Sequence, residues 1–450
     1  MTSNALVLPP PTPELPVSTA RQARLKQAPD VSLLNLLGEI DWLADAMDKE
    51  VNEHIRMGQT VTDLKRHKCN EGGVFSQLMT ISKEALDSII RGTVAHDAQV
   101  SNGSGWHEIP TFEHIQGVYV ISLFCEGHGG KFLNCEELEQ LVEGLRQYIF
   151  GAQIIELGGA VTPQEKAAEK WARKVDAVGG NLNKDPRQAV FYAKSNEKSI
   201  QALLSMLEAR LTTMQKVDPS KKVRMHQSPL YVGCSVNLKT GLQAYQKDLH
   251  SINKPLALTA SILMAQGVNV RLDRRIASIA MEEGHLPLSE RLVVALAGSF
   301  VYHTGFNVAE PGANVSAGKF DEELVALYVG QATVLRANMA EVQKHVDERK
   351  ATFLLLAKLE VSLHLLQKRY DTCWESVLKL QSLAREPSFV KMARLEASRE
   401  AIRKRLLETA TQYASLAIMY PDVYDQIHEE RKARGERELQ ASETTESDVD

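Results

Sequence analysis

A β-prone pair, Tyr231-Val232, runs into Gly233-Cys234-Ser235, and a helical pattern begins at once. A switch from period two to period 3.6 over so few residues marks a small α/β core. The block that contains it extends from Ser228 to Asn314. A second helical run there carries one acidic residue, Glu290, among apolar neighbours, and the turn Gly305-Phe306-Asn307 closes the block. Long helical patterns lie on both sides, so whatever chemistry the sequence holds is concentrated here.

Residues 1–29 contain LPPPTPELP. Proline removes backbone donors and disfavours helix, so the expectation is a disordered, polyproline-like tail, with an SH3-type ligand as the alternative. Asp30 can cap a helix whose apolar stripe is Leu33, Leu37, Ile40, Ala44, Met47, Val51 and Ile55. Leu33-Leu34-Asn35-Leu36-Leu37 fits an LxxLL groove-docking pattern, but a packed core uses the same residues. A second helix is expected from about Phe75 to Ile90, which makes 30–92 an N-terminal helical region.

The polar turn Ser101-Asn102-Gly103-Ser104-Gly105 precedes a strand beginning at Gly117-Val118-Tyr119-Val120-Ile121. Residues from about 136 to 225 read as helical, with breaks at Gly158-Gly159 and Gly179-Gly180-Asn181 and a clear amphipathic run from Ser199 to Met214. Beyond the central block, Leu359, Leu363, Leu366, Tyr370, Cys373, Val377 and Leu380 step by four and three. That is a heptad seam within one or two long helices. Pro387 stops the pattern, Ser388 can cap a last helix, and the acidic tail 430–450 reads as disordered. Residues 320–429 thus form a helical hairpin, with a coiled-coil homodimer as the alternative.

Composition narrows the function classes. A 44% hydrophobic, 24% charged chain of 450 residues is globular, and a net charge of −5 lacks the footprint of a nucleic-acid coat. No apolar run approaches the ~20 residues that span a bilayer, so no membrane partner is expected. Five cysteines without a regular framework read as reduced thiols, which points to a nuclear or cytoplasmic, intracellular location.

Four kinds of chemistry have candidate residues in the sequence. Cys125, His128 and Cys135, with His67-Lys68-Cys69, have the residue types for zinc but no CxxC or HxxxH pair. Gly127-His128-Gly129-Gly130-Lys131 is glycine-rich without phosphate-loop spacing. Cys234 stands where a helix dipole would favour a thiolate, but it has no evident base, and a buried small hydrophobe is the commoner role.

The fourth is metal-assisted phosphodiester chemistry. Gly117-Val118-Tyr119 followed by Tyr231-Val232-Gly233 resembles the paired strand motifs of the GIY-YIG endonuclease superfamily. Cys234-Ser235-Val236-Asn237-Leu238 is similar to the S-x-N-L start of its first helix. Glu290 stands where the family keeps a metal-binding glutamate, and Gly305-Phe306-Asn307 resembles its terminal GYN turn. The continuous match covers about residues 228–314.

The resemblance implies an α-rich α+β fold. Its core is a small three-stranded sheet with flanking helices in a domain of about 110–319, split by a helical insertion. It implies Mg²⁺ on Glu290, because this hard ion keeps most of its waters and needs few protein oxygens. It also implies Tyr119 and Tyr231 near the attacking water, Lys239 near the phosphate, and Asn307 in support. DNA or RNA would be the substrate.

Two departures stand out. The motif strands are about 110 residues apart, and Gly241 occupies the position of the family's phosphate-facing arginine. The alternative class is a non-catalytic interaction or scaffold protein that meets protein partners through its helical ends.

Overall fold

The computed structural model describes residues 25, 71–179, 188–247, 253–282, 284–309, 311, 321–331, 333–383 and 389–419. The expected proline-rich tail (Leu25 apart), the helix from Asp30 with its LxxLL pattern, His67–Cys69 and the acidic tail lie outside the described residues. The chain divides into two compact units, Met1–His345 and Val346–Asp450.

The first unit is built on a three-stranded antiparallel sheet: β1 (Gly117–Cys125), β2 (Leu230–Ser235) and β3 (Val270–Ile279), in the order β2-β1-β3. All nine residues of β1 are buried, as a central strand covered on both faces requires. Its alternate side chains feed two separate cores. Tyr119, Ile121 and Leu123 face one, and Val118 and Val120 face the other.

The Tyr119 side is covered by the helical insertion, α4 (Cys135–Glu156), α5 (Pro163–Val178) and α6 (Glu197–Val217), and by α7 (Leu238–Lys247) and α8 (Lys254–Ala265). Capping boxes start α4 and α5: Asn134 with Glu137, and Thr162 with Glu165 ahead of Pro163. The Val118 side packs on α1 (Glu71–Leu78), α2 (Lys83–Arg91), α3 (Val94–Val100) and α9 (His285–Ala297).

The insertion closes on itself. Phe132 N donates to Met225 O at 2.7 Å and Met225 N to Leu133 O at 3.2 Å, so the chain leaves and rejoins the sheet at one place.

The expected helix from Phe75 to Ile90 is two helices. The Ser82 side chain accepts from Ala85 N and starts α2 afresh, while Gly92 ends it in the left-handed region at φ 73°.

Helix α10 (Glu322–Gln331) and the start of α11 (Thr333–Leu383) belong to the sheet-bearing unit. Asn338 Nδ2 donates to the carbonyls of Met79 and Ile81, both at 2.8 Å. In the second unit, the rest of α11 and α12 (Phe389–Met419) are described. Leu366 and Cys373 of the expected seam are buried and Leu359, Leu363, Val377 and Leu380 half-buried, but Tyr370 stands exposed. Among the described residues, no helix is long and apolar enough to cross a membrane.

Candidate functional site

Pairing between β1 and β2 places Tyr119 opposite Gly233 and Ile121 opposite Tyr231. Tyr119 and Tyr231 therefore sit diagonally on one face of adjacent strands. A side chain at position 233 would meet the Tyr119 ring, since an added Cβ lies 2.7 Å from its Cζ and Oη. Only glycine lets the ring cross β2 toward α7.

The ring meets Tyr245 there, a residue the sequence reading missed. The Tyr119 and Tyr245 hydroxyls are 3.0 Å apart, and their rings pack edge to face with centroids at 5.4 Å. Tyr231 joins from the other side, its ring centroid 6.1 Å from that of Tyr245. The one available signal for Tyr245 was its place on α7, the helix that begins directly after β2.

All three phenols are held protonated. Burial is the main cause for each, and Glu290 adds to the rise at Tyr231 and Tyr245. The hydrogen bond between Tyr119 and Tyr245 opposes the rise at Tyr245. Protonated phenols can orient a bound group but cannot take its proton near neutral pH.

Helix α9 brings Glu290 to the same strand from the other core. Cys234, one residue beyond Gly233, points away from the tyrosine face, and its thiol donates to Glu290 Oε2 at 3.1 Å. Glu290 is 9% exposed. Burial, then Glu290, push the Cys234 thiol up, the opposite of what a nucleophile needs.

Asn307 completes the edge. Its Oδ1 accepts from Val232 N at 2.8 Å and its Nδ2 donates to Val232 O at 2.7 Å. Phe306 N donates to Leu230 O at 2.9 Å. The terminal turn thus pairs with the outer edge of β2 in place of a fourth strand.

The start of α7 leaves little room for a side chain at position 241. Ser235 Oγ donates to Asn237 O and accepts from Asn237 N, while Asn237 Oδ1 accepts from Thr240 N. This network sets Ser235 against the helix, and a Cβ on Gly241 would lie 2.6 Å from Ser235 Oγ. Lys239 turns elsewhere, its Nζ 3.3 Å from Thr111 O. Arg224 is engaged with both Glu137 oxygens at 2.6 and 2.7 Å. Arg274, opposite Ile121 on the tyrosine face, donates to Leu242 O at 3.0 Å.

No protein-family profile, curated protein or solved structure matches this chain.

The residues fit a magnesium ion poorly. Among the described residues, no group of three or more His, Cys, Asp or Glu could hold a metal. The single carboxylate is nine-tenths buried with one oxygen on a thiol, whereas Mg²⁺ carries a bulky shell of retained waters. Cys125 and Cys135, weighed for zinc, are both buried in the core beside α4.

Proposed function

We propose that this chain is a non-catalytic interaction protein in which a degenerate GIY-YIG-like domain serves as scaffold and the helices provide the partner surface. The observation that carries the reading is the closure of position 241 by Ser235. Loss of one preorganised donor to a developing charge removes about 3–4 kcal/mol of transition-state stabilisation. Neither Lys239, bonded to Thr111 O, nor Arg224, paired with Glu137, is positioned to replace it.

A second reading is nucleic-acid binding with Mg²⁺-dependent phosphodiester cleavage. It draws on Tyr119 and Tyr231 sharing one face of adjacent strands and on the reach of the Glu290 charge to Tyr231. Nicking of supercoiled DNA and cleavage of RNA in Mg²⁺, wild type against Glu290→Ala, separates the two. The scaffold reading expects identical background in both proteins. Cleavage by wild type that Glu290→Ala abolishes would overturn it.

A further inference from the structure

Among its described residues, the second unit exposes several large apolar side chains. On α11, Tyr370 and Trp374 are each 53% exposed, and their rings stack with centroids at 6.5 Å and an interplanar angle of 8°. Leu378 follows one turn later and Leu356 lies on the same side two heptads before Tyr370, at 48% and 44% exposure. Spacings of four and seven put all four on one ridge beside the covered seam. Glu360, Asp371 and Glu375, all exposed, lie three or four residues from members of that ridge and edge it with negative charge.

The complementary feature is on α12. Ile402, Leu406, Leu407 and Ala410 line an open groove of ≈ 680 Å³. Arg399, Glu400 and Arg403 line it as well, all three exposed, and neither arginine is in an ion pair among the described residues, so the groove carries a net positive charge. One helix therefore carries an aromatic ridge with an acidic edge, and the other an aliphatic groove whose charged lining is two arginines to one glutamate. Both are exposed among the described residues.

We infer that the second unit self-associates as a two-fold dimer in which the α11 ridge of each copy fills the α12 groove of the other. A second copy is the occupant because it alone supplies both complements at once: ridge to groove twice, with acids against arginines each time. The exposed parts of Leu356, Tyr370, Trp374, Leu378, Leu406 and Leu407 amount to roughly 600 Å² per copy. A standard interface takes about 800 Å² per partner, and the flanking charged side chains cover the remainder.

The apolar arc on α11 is wide enough for two neighbours, as in a four-helix bundle, where each helix touches one on either side of its inward edge. The inference rests on the reading that the helices carry the partner surface. It is tested by mass and not by cleavage, so either can fail alone.

The test is sedimentation of the full chain over a concentration series, with circular dichroism to check helicity. The wild type is expected at twice the 50.0 kDa chain mass. Arg399→Glu with Arg403→Glu, and separately Glu360→Lys with Asp371→Lys and Glu375→Lys, should each weaken the dimer at least tenfold. Mixing the two variants should restore it, because the heterodimer regains opposite charges at both contacts. Trp374→Gln should weaken it with no charge change.

Three outcomes overturn the inference. One is a monomeric wild type, which would leave the ridge to a different protein or to the amphipathic 33–55 stretch of the same chain. Another is a dimer indifferent to all these substitutions. The third is a pair of charge variants that do not rescue each other.

Discussion

Replacing Asn307 by alanine distinguishes a residue that holds the sheet from one that acts on a substrate. In the folded chain its amide makes two bonds to Val232, one to the N–H and one to the carbonyl, and all of these groups are buried. Alanine leaves both backbone groups of Val232 unpaired on the outer edge of β2. An unsatisfied buried polar group costs about 1–3 kcal/mol. Water reaching an edge strand recovers part of that, so the expected loss is roughly 2–4 kcal/mol for the pair.

At an unfolding entropy of about 2.1 cal/mol/K per residue, each kcal/mol moves the midpoint of a unit as long as Met1–His345 by roughly 1–2 °C, so thermal unfolding should shift down by roughly 3–6 °C. Asn307→Asp retains the acceptor for Val232 N but sets a carboxylate oxygen against Val232 O, so it should be no milder. The assay is urea and thermal denaturation followed by circular dichroism and by tyrosine fluorescence. A midpoint unchanged within a degree for both variants would refute the assignment of Asn307 as the clamp of the β2 edge.

Gly241→Ala should cost about 1–3 kcal/mol by overpacking against Ser235, and Ser235→Gly should relieve part of it, a coupling that a double-mutant cycle in urea measures. The tyrosine cluster predicts alkaline instability. Tyr119, Tyr231 and Tyr245 ionise less readily folded than unfolded, so their contribution is intact below about pH 10, the ordinary phenol value, and is lost as pH rises above it. The slope approaches roughly 1.4 kcal/mol per pH unit for each phenol. Tyrosinate absorbance should then rise together with unfolding, and Tyr119→Phe should lower the slope. Three buried phenols that titrate freely in the folded protein would contradict the closed cluster.

Much of the architecture was legible where local signals and burial agree. Gly117 to Ile121 is apolar at every position but the glycine, as a doubly covered strand should be, and β1 is that strand. The glycine breaks at Gly158-Gly159 and Gly179-Gly180 fall just past the ends of α4 and α5.

Strand β3 was hidden because Arg271, Asp273, Arg274 and Arg275 interrupt any apolar alternation. The fold accommodates them by pairing Arg275 with Asp273 at 2.9 Å, Arg271 with Glu126, and Arg274 with a helix carbonyl. The site was legible as a set of positions and not as an arrangement. Local pattern cannot tell that Tyr245 joins the two strand tyrosines, that a thiol holds Glu290, or that Ser235 fills the space beside Gly241. The heptad seam had the right period, but the surface it leaves free is its flank.

The order in which the strands leave the ribosome follows from the insertion. β1 is the middle strand, yet roughly a hundred residues are made before β2 appears, and β3 comes later still. At ~5–20 residues per second the nascent chain carries this largely apolar nine-residue strand with two open edges for about 5–20 seconds. During that wait α4, α5 and α6 can cover one face of β1 but neither edge. The strand at the centre of the finished fold is thus the segment most dependent on protection during synthesis, and a faster or chaperone-poor expression host should lose yield to aggregation there first.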